Sequence, residues 1–214
     1  MNQFNHLSLK IAEDLNVAQQ VVTRLSAEKI VTFFGSARIP QSHPIFQKTK
    51  ELAKVFSDLD FIVCTGGGPG LMMAGSMGGK EGKSKTLGLS ILLPHEQKPN
   101  DYLDENVTFQ NFAQRKIVFS AVSNAYVIVP GGYGTLDELF EIATLMQCKV
   151  IPHAPIVLFD KTFWQPLMDF IKASMIREGT IKQEDYDHFF LTDSIEETVE
   201  HIQKNMIPVE VKTV

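Results

Sequence analysis

Short apolar runs alternate with amphipathic segments along most of the chain. Apolar residues between Leu7 and Leu25 recur at the spacing of one helix face, which predicts a helix over residues 7–27. Compact apolar runs predict buried strands at 30–34, 61–64, 86–93, 125–129 and 155–159, with candidate short strands at 107–110 and 189–191. Helical spacing predicts helices at 43–59, 71–79, 112–122, 136–148 and 163–176. Ser194 and Glu197 form a capping-box pattern that starts a last helix through residue 204.

This alternation predicts an α/β fold with a mostly parallel sheet covered by helices on both faces. We expect residues 1–28 to form an N-terminal helix, residues 29–206 a single domain and residues 207–214 a tail. Glycine-bearing turns follow the strands that end near residues 34, 64 and 129, so they should meet at the carboxyl edge of the sheet, where α/β proteins bind ligands. The polar stretch 94–106 is a candidate active-site loop.

Charge and residue usage narrow the possible functions. The formal net charge of −5 argues against non-specific nucleic-acid binding, which requires a basic face. We find no signal peptide and no apolar run near the ~20 residues that span a bilayer, so we expect a cytoplasmic protein without a membrane partner. The six histidines lack metal-ligand spacing, and no metal site is expected. Cys64 and Cys148 lie in apolar stretches and are predicted to be buried, reduced thiols.

The glycine turn at 66–70 matches neither of the common phosphate-binding motifs. The dinucleotide fingerprint GxGxxG, counted from Gly66, needs a glycine where the chain has Leu71. A Walker A loop ending at residues 82–84 needs a glycine where the chain has Met77. The turn is therefore either a tight strand-to-helix corner or a place where a ligand approaches the backbone.

The turn at 130–135 follows a predicted strand and opens a predicted helix. Free backbone N–H groups at such a helix start bind phosphate, and the Thr135 hydroxyl can add a hydrogen bond. Glu138 either completes a capping box with Thr135 as N-cap or faces the sugar of a bound nucleotide, because phosphate repels a carboxylate. Arg115 and Lys116, near the start of the helix 112–122, are either a solvated basic pair or a clamp on phosphate or ribose.

Together these residues resemble the LOG-like family, the cytokinin-activating nucleoside 5′-monophosphate phosphoribohydrolases, long labelled possible lysine decarboxylases. The family signature is PGGxGTxxE preceded by an Arg-Lys pair on a helix, and this chain has PGGYGTLDE at 130–138 and the pair at 115–116. FFGSAR at 33–38, TGGGPGLM at 65–72, LPHEQKPN at 93–100, Thr144 and Gln147 support the match over about residues 30–200. The resemblance implies a Rossmann-like three-layer αβα sandwich, usually a homodimer with active sites near the interface. It also implies hydrolysis of an N-glycosidic bond to a free base and ribose 5-phosphate.

The resemblance also implies residue roles. The family's catalytic arginine and glutamate correspond to Arg115 and Glu138, and the expected substrate is AMP or another purine nucleoside monophosphate, with no cofactor. Plant-type enzymes carry His-Glu just before this arginine, whereas the present chain has Ala113 and Gln114, which leaves the base specificity open. The expected substrate-binding residues are Gly35, Ser36, Gly67, Gly68, Glu96, Lys116, Gly131, Gly132, Tyr133, Gly134, Thr135 and Thr144.

Other functions on a similar fold remain open at this point. A non-catalytic nucleotide sensor, or a carrier of the molybdenum-cofactor type, would use similar glycine turns but has no need of a carboxylate at the sugar. A nicotinamide-dependent oxidoreductase is disfavoured, because the GxGxxG count fails and no acidic residue follows a fitting fingerprint at the usual distance. The decarboxylase label implies pyridoxal phosphate, for which the residues offer no independent support.

Overall fold

One sheet of seven parallel strands forms the centre of the computed structural model, which describes residues 3–93 and 98–206. The strands are β1 (Ile30–Phe34), β2 (Ile62–Thr65), β3 (Thr86–Ile91), β4 (Glu105–Phe109), β5 (Ala125–Ile128), β6 (Ile156–Phe159) and β7 (Phe189–Thr192). The helices are α1 (Gln3–Leu25), α2 (Pro44–Asp58), α3 (Leu71–Glu81), α4 (Phe112–Val122), α5 (Tyr133–Gln147), α6 (Lys161–Phe170), α7 (Gln183–Tyr186) and α8 (Ile195–Asn205). The predicted tail, 207–214, lies outside the described residues.

The strand order β4-β3-β2-β1-β5-β6-β7 shows how the chain winds. From β1 the chain moves outward to β4, returns through α4 to β5 on the other side of β1, and then moves outward again to β7. Phe33 of β1 pairs in register with Thr65 of β2 and with Val127 of β5. The direction of winding reverses between β1 and β5, and in open α/β sheets the ligand crevice lies at such a reversal.

Helices cover both faces of the sheet. Ile30 and Phe34 of β1 join the core beneath α1, α4, α5 and α6, whereas Val31 and Phe33 join the core beneath α2, α3 and α8. Every residue of β1 is buried, as expected for a parallel strand with helices on both sides. The predicted α/β fold and its three-layer arrangement are therefore confirmed. None of the described helices is both long enough and apolar enough to cross a membrane.

Most predicted elements are present with ends shifted by a few residues, and three details differ. The predicted helix 163–176 is divided, since α6 ends at Phe170 and continues as a π-helical turn, Ile171–Ile176. The helix α7 was not predicted, because its four residues are too few to show periodicity. Ser194 caps α8 by accepting the Glu197 N–H at 3.1 Å, but the Glu197 carboxylate accepts the hydroxyl of Thr192, so only half of the predicted capping box forms.

The prediction of two buried thiols is wrong for Cys148, which is exposed. Helix α5 ends at Gln147, and Cys148 follows it just before the chain turns through Lys149 at a φ of +57°. The apolar residues near Cys148 belong to α5, where Met146 is buried. Cys64 is fully buried in β2, and burial raises the pKa of its thiol to about 12.

Helices α2 and α3 pack closely because glycines lie between them. A Cβ added at Gly78 would lie 1.9 Å from the carbonyl oxygen of Lys50 on α2. A Cβ added at the next residue, Gly79, would lie 2.9 Å from the Cβ of Val63 on β2. The small residues of the segment 71–79 therefore allow α3 to approach both the neighbouring helix and the sheet.

We expect Gly78→Ala to lower the free energy of unfolding by about 3 kcal/mol, the upper end of the range for overpacked cores, because the atom it meets is backbone and cannot rotate away. Gly134→Ala is the matched control, since Gly134 also lies in a helix but has nothing within 4 Å of the added Cβ. The control should be unchanged or stabilised by up to about 1 kcal/mol. Denaturant titrations measure both, and equal effects would contradict the close packing described here.

Candidate active site

A cleft of about 560 Å³ opens at the carboxyl edge of the sheet, where β1 and β5 lie side by side. Its volume lies within the range of small-molecule sites in proteins. All three of the glycine-bearing turns predicted to meet at this edge contribute to its wall. The predicted binding residues that line it are Gly35, Ser36, Gly67, Gly68, Gly132, Tyr133, Gly134 and Thr135, together with Arg115 and Glu138.

The backbone of Ser36 joins the three turns to one another. Its N–H donates to the carbonyl of Pro130 at 3.0 Å, and its carbonyl accepts the N–H of Leu71 at 2.8 Å. Gly70, at a φ of +66°, permits this contact, because an added Cβ would lie 2.3 Å from the Ser36 carbonyl oxygen. The Ser36 hydroxyl accepts the N–H of Arg38 at 3.0 Å. Ser36 therefore fixes the shape of the cleft.

Helix α5 begins three residues earlier than a Thr135 N-cap requires, so the first alternative for Glu138, a capping box with Thr135, is wrong. Gly132 is the N-cap, with extended backbone and no side-chain cap, and the first backbone bond of the helix runs from Leu136 N–H to the Gly132 carbonyl at 3.0 Å. Thr135 is instead a buried residue of the first turn. Gly131 does not line the cleft, and its missing side chain leaves room for Thr135, whose Oγ1 would lie 2.0 Å from an added Cβ.

The first turn of α5 consequently presents free donors to the cleft. Tyr133, Gly134 and Thr135 carry the first N–H groups of the helix, which have no acceptor within it. All three residues line the cleft, and no atom lies within 4 Å of an added Cβ at Gly132 or Gly134, so a ligand can approach this backbone. A helix start of this kind attracts anions through its N–H groups and its dipole.

Arg115 and Glu138 form a buried ion pair in the wall of the cleft. Nη2 of Arg115 donates to Oε1 of Glu138 at 2.7 Å, and the two side chains are only 12% and 6% exposed. The Arg115 guanidinium lies 5.3 Å from the ring of Phe112 and 5.5 Å from that of Phe119, and its buried Nε has no hydrogen-bond partner among the described residues. No described residue donates to the second oxygen of Glu138, Oε2. Burial raises the pKa of Glu138, and Arg115 opposes that rise.

Three of the predicted binding residues, Gly131, Lys116 and Thr144, lie outside the cleft, and a fourth is not described. Lys116 pairs with Asp137 at 2.8 Å and with Glu141, and Thr144 donates to the Phe140 carbonyl at 2.6 Å. Both line a shallower groove beside the cleft, between α4 and α5. Tyr133, whose side chain is 93% exposed, lies between the groove and the cleft and contributes to both. Glu96 is among residues 94–97, which lie outside the described residues.

Sequence reasoning missed several residues that line or support the cleft, and Asn100 is a supporting one. Its Nδ2 donates to the carbonyls of Gly67 and Gly68 at 3.1 and 3.0 Å, so it holds the second glycine turn in place. Lys98, in the same polar connection, and Arg38, at the end of the FFGSAR motif, bring positive charge to the cleft. The candidate loop 94–106 and the FFGSAR motif were the sequence signals for this region, but neither indicated which of their side chains would contribute to the cleft.

Comparison with known proteins adds a family match. The model of a family described as "Possible lysine decarboxylase" matches residues 70–202. A rice protein, "Probable cytokinin riboside 5′-monophosphate phosphoribohydrolase LOGL2", is 26% identical over 197 residues, which are 90% of this chain and 79% of that protein. "Cytokinin riboside 5′-monophosphate phosphoribohydrolase LOG2" of Arabidopsis thaliana is 30% identical over 154 residues, 70% of this chain and 66% of that protein. The rice enzyme LOG is 30% identical over 139 residues, 63% of this chain but only 54% of that protein.

Solved structures with the same fold include proteins of another function. A molybdenum cofactor binding protein from Rippkaea orientalis has a TM-score of 0.61 at 20% identity, covering 83% of this chain and 96% of that one. The molybdenum cofactor carrier protein of Chlamydomonas reinhardtii has a TM-score of 0.60 at 20% identity, with 83% and 97% covered. At this identity the similarity shows the Rossmann-like fold alone.

Replacing Arg115 with methionine should leave the Glu138 carboxylate buried without a counter-charge. We expect Arg115→Met to lower the free energy of unfolding at pH 7 by about 3–5 kcal/mol, the usual cost of removing one partner of a buried pair. The loss should shrink as the pH falls towards about 4.3, the ordinary pKa of glutamate, because the folded protein, in which the pKa of Glu138 is raised, takes up the proton before the unfolded chain does.

The matched control is the double variant Arg115→Met with Glu138→Gln, which removes both charges. It should recover most of the lost stability at pH 7 and should lose the additional pH dependence. Urea unfolding of the wild type, the single variant and the double variant between pH 4.5 and 8 tests both points. A penalty for Arg115→Met that is equal at all pH values would contradict the assigned ion pair.

Proposed function

The chain belongs to the LOG family, whose model is described as possible lysine decarboxylase, and on that premise we propose that it hydrolyses the N-glycosidic bond of a nucleoside 5′-monophosphate. The expected substrate is a purine nucleotide such as AMP, and the products are the free base and ribose 5-phosphate. The observation that carries the proposal is the buried Arg115–Glu138 pair, which lies in the same cleft as the open N-terminus of α5. Because nucleoside monophosphates are intracellular metabolites, we place the activity in the cytoplasm.

The 5′-phosphate binds at the start of α5. The N–H groups of Tyr133, Gly134 and Thr135 supply donors, and the helix dipole favours the negative charge. Arg38 and Lys98 add positive charge to the same cleft, against the net charge of −5 of the whole chain. With the phosphate fixed, binding energy from a part of the substrate that does not react can position the ribose for reaction.

Glu138 acts at the sugar. It lies one turn further along α5, so the ribose attached to a phosphate at the helix start reaches towards it. Cleavage of the bond between C1′ and the base nitrogen passes through a cation with oxocarbenium character, which the Glu138 carboxylate stabilises and towards which its second oxygen orients water. Water adds its oxygen to C1′, and its proton goes to the departing base. Arg115 keeps Glu138 ionised and orients the nucleotide.

Pyridoxal phosphate, which the decarboxylase label of the family implies, does not fit this cleft. Such enzymes bind the cofactor through a lysine and place a charged partner at its ring nitrogen. Among the described lining residues the lysine is Lys98, which is exposed, and the carboxylate is Glu138, which is paired with Arg115. Lys116 lies outside the cleft and is paired with two acids. We therefore derive no step through this cofactor.

Incubation of the purified protein with AMP, GMP, CMP, UMP and IMP, followed by chromatography of base and ribose 5-phosphate, tests the proposal. Release of base from a purine monophosphate is expected. Glu138→Gln should reduce kcat by about 100-fold or more, the scale of losing a positioned acid–base group, while calorimetry still detects nucleotide binding.

Glu141→Gln is the matched control, because Glu141 lies one turn along the same helix, pairs with Lys116 and does not line the cleft. Its kcat should stay within about threefold of wild type, as expected for a surface substitution away from the cleft. If Glu138→Gln turns over as fast as this control, Glu138 has no catalytic role. If no monophosphate loses its base but one still binds, the protein is a nucleotide sensor or a carrier, the alternative function on this fold.

The proposal extends to a homodimer with active sites near the interface. The exposed fractions of Phe112 and Ile117 on α4 and of Tyr133 at the start of α5 are 51%, 50% and 93%, and exposed apolar surface can mark a protein–protein contact. Tyr133 belongs to both groove and cleft, so a second subunit on this face would border the active site.

Sedimentation velocity should give the mass of two chains for the wild type. Ile117→Glu places a charge on the exposed apolar face and should shift the protein towards a monomer. Ile181→Glu changes a partly buried residue far along the chain from this face, and it serves as the control for a general loss of stability. A monomeric wild type would contradict the dimer without affecting the proposed chemistry.

A further inference from the structure

Asp14 of the N-terminal helix is a buried carboxylate with no part in the chemistry described above. It is only 2% exposed, and it accepts four hydrogen bonds from two residues distant in sequence. The Gln110 N–H lies 2.9 Å from Oδ2 and 3.1 Å from Oδ1, and the Asn111 N–H lies 2.8 Å from Oδ2. Nδ2 of Asn111 donates to Oδ2 at 2.9 Å. Burying a charge costs its hydration, and these hydrogen bonds offset that loss.

The residues that Asp14 binds are the whole connection between β4 and α4. Strand β4 ends at Phe109 and α4 begins at Phe112, so Gln110 and Asn111 are the two residues between them. Asn111 is the N-cap of α4, and its side chain makes no cap bond to the helix. Asp14 supplies the acceptors and the negative charge that favour a helix start at this point.

Helix α1 is itself fixed at both ends of β4. Near its C-terminal end, Arg24 forms an ion pair with Glu105, the first residue of β4, while Asp14 binds just beyond the last. Between these anchors Ala18 and Val21 are buried in the core that α4 and α5 share, and so is Leu25, just after Arg24. Asp14 is therefore held by packing as well as by its hydrogen bonds.

From these contacts we infer that Asp14 is a positioning residue for the reaction: it fixes the start of α4 and so holds Arg115 against Glu138. This inference rests on the proposed function. Arg115 is the fourth residue of α4, one helical turn after the residues that Asp14 binds. If the first turn of α4 frays or shifts, the 2.7 Å contact between Arg115 and Glu138 lengthens. A misplacement of about 1 Å far from the reacting atoms can slow an enzyme by about 100-fold.

Asp14→Asn tests the inference, because it keeps the shape of the side chain but turns an amide towards a site that contains only donors. We expect kcat for the nucleoside monophosphate to fall by about 10- to 100-fold. The KM should change by less than about threefold, since the phosphate contacts come from α5. Glu13→Gln is the matched control. Glu13 is exposed, precedes Asp14 and, among the described residues, accepts only the Gln110 side-chain amide, at 3.0 Å, so the kcat of this variant should remain that of wild type.

The pH profile separates positioning from a general loss of stability. The charged groups that act on the Glu138 carboxyl are Arg115 and Lys116 on α4, which lower its pKa, and Asp137 on α5, which raises it. When Arg115 is held less closely, the pKa of Glu138 rises and its carboxylate is protonated at a higher pH. The acid limb of kcat/KM should therefore move to higher pH in Asp14→Asn and stay in place in Glu13→Gln.

Amide hydrogen exchange gives a measurement that needs no turnover. A peptide covering residues 110–116 should exchange faster in Asp14→Asn than in wild type or Glu13→Gln. If Asp14→Asn does not fold, Asn111→Ala removes one of the four bonds and should move the acid limb and the exchange rate in the same direction by a smaller amount.

The inference would be overturned if a folded Asp14→Asn variant had the pH profile and the exchange rate of wild type. If Asp14→Asn does not fold, the same result in Asn111→Ala would overturn it. If the wild type hydrolyses no monophosphate, the proposed function fails, but exchange still decides whether Asp14 holds α4. Faster exchange with an unchanged acid limb in an active enzyme would leave Asp14 a purely structural residue and would also overturn it.

Discussion

The parallel pairing of β1 with β5 is the constraint on which the rest of the site depends. A central parallel strand is buried on both faces, so polar groups that must reach a ligand are confined to the ends of the strands. Because β1 and β5 are neighbours, the turns that follow them meet, and Ser36 can bond to Pro130. The same pairing obliges the chain to return from β4 at the sheet edge to β5 at its centre. Helix α4 makes that return, and it brings Arg115 over the cleft.

The Arg115–Glu138 pair shows why the site must be held firmly. Both charges are largely removed from water, and such a pair gains little net stability because the loss of hydration offsets the attraction. For Glu138 the loss of hydration outweighs the attraction of Arg115, since burial raises the pKa of its carboxyl even with the arginine beside it. The rings of Phe112 and Phe119, both within 5.5 Å of the guanidinium, limit its freedom. The cost of burying this pair is consistent with the proposed reaction, which needs a charged group that is shielded from water.

The sequence was sufficient for the strands and the glycine turns, because apolar periodicity and local motifs carry that information. The family resemblance led us to expect Arg115 and Glu138 in one site, but not their ion pair. The sequence was not sufficient where the geometry of a helix decides which way a side chain points or at which residue the helix begins. Lys116 was predicted beside Arg115, but adjacent helical residues point about 100° apart, and Lys116 faces Asp137 and Glu141 instead. Thr135 was one candidate N-cap, yet Gly132 caps the helix. Asp14 and Asn100 act on backbone far along the chain, and no local pattern signals such contacts.

The difference between a nucleotide carrier and a hydrolase on this fold comes down to the charge state of one carboxyl group. Glycine turns and a free helix start suffice to hold a phosphate, and they would serve either protein. In the proposed reaction the bound phosphate adds negative charge near Glu138, which favours the protonated, inactive carboxyl just as burial does. Arg115, at hydrogen-bonding distance from Glu138, opposes both effects, and the charge of Lys116 adds to it. In the proposed reaction the position of Arg115 is thus part of the chemistry, and we infer that the fold secures it with Asp14, a buried aspartate on a helix whose described residues do not line the cleft.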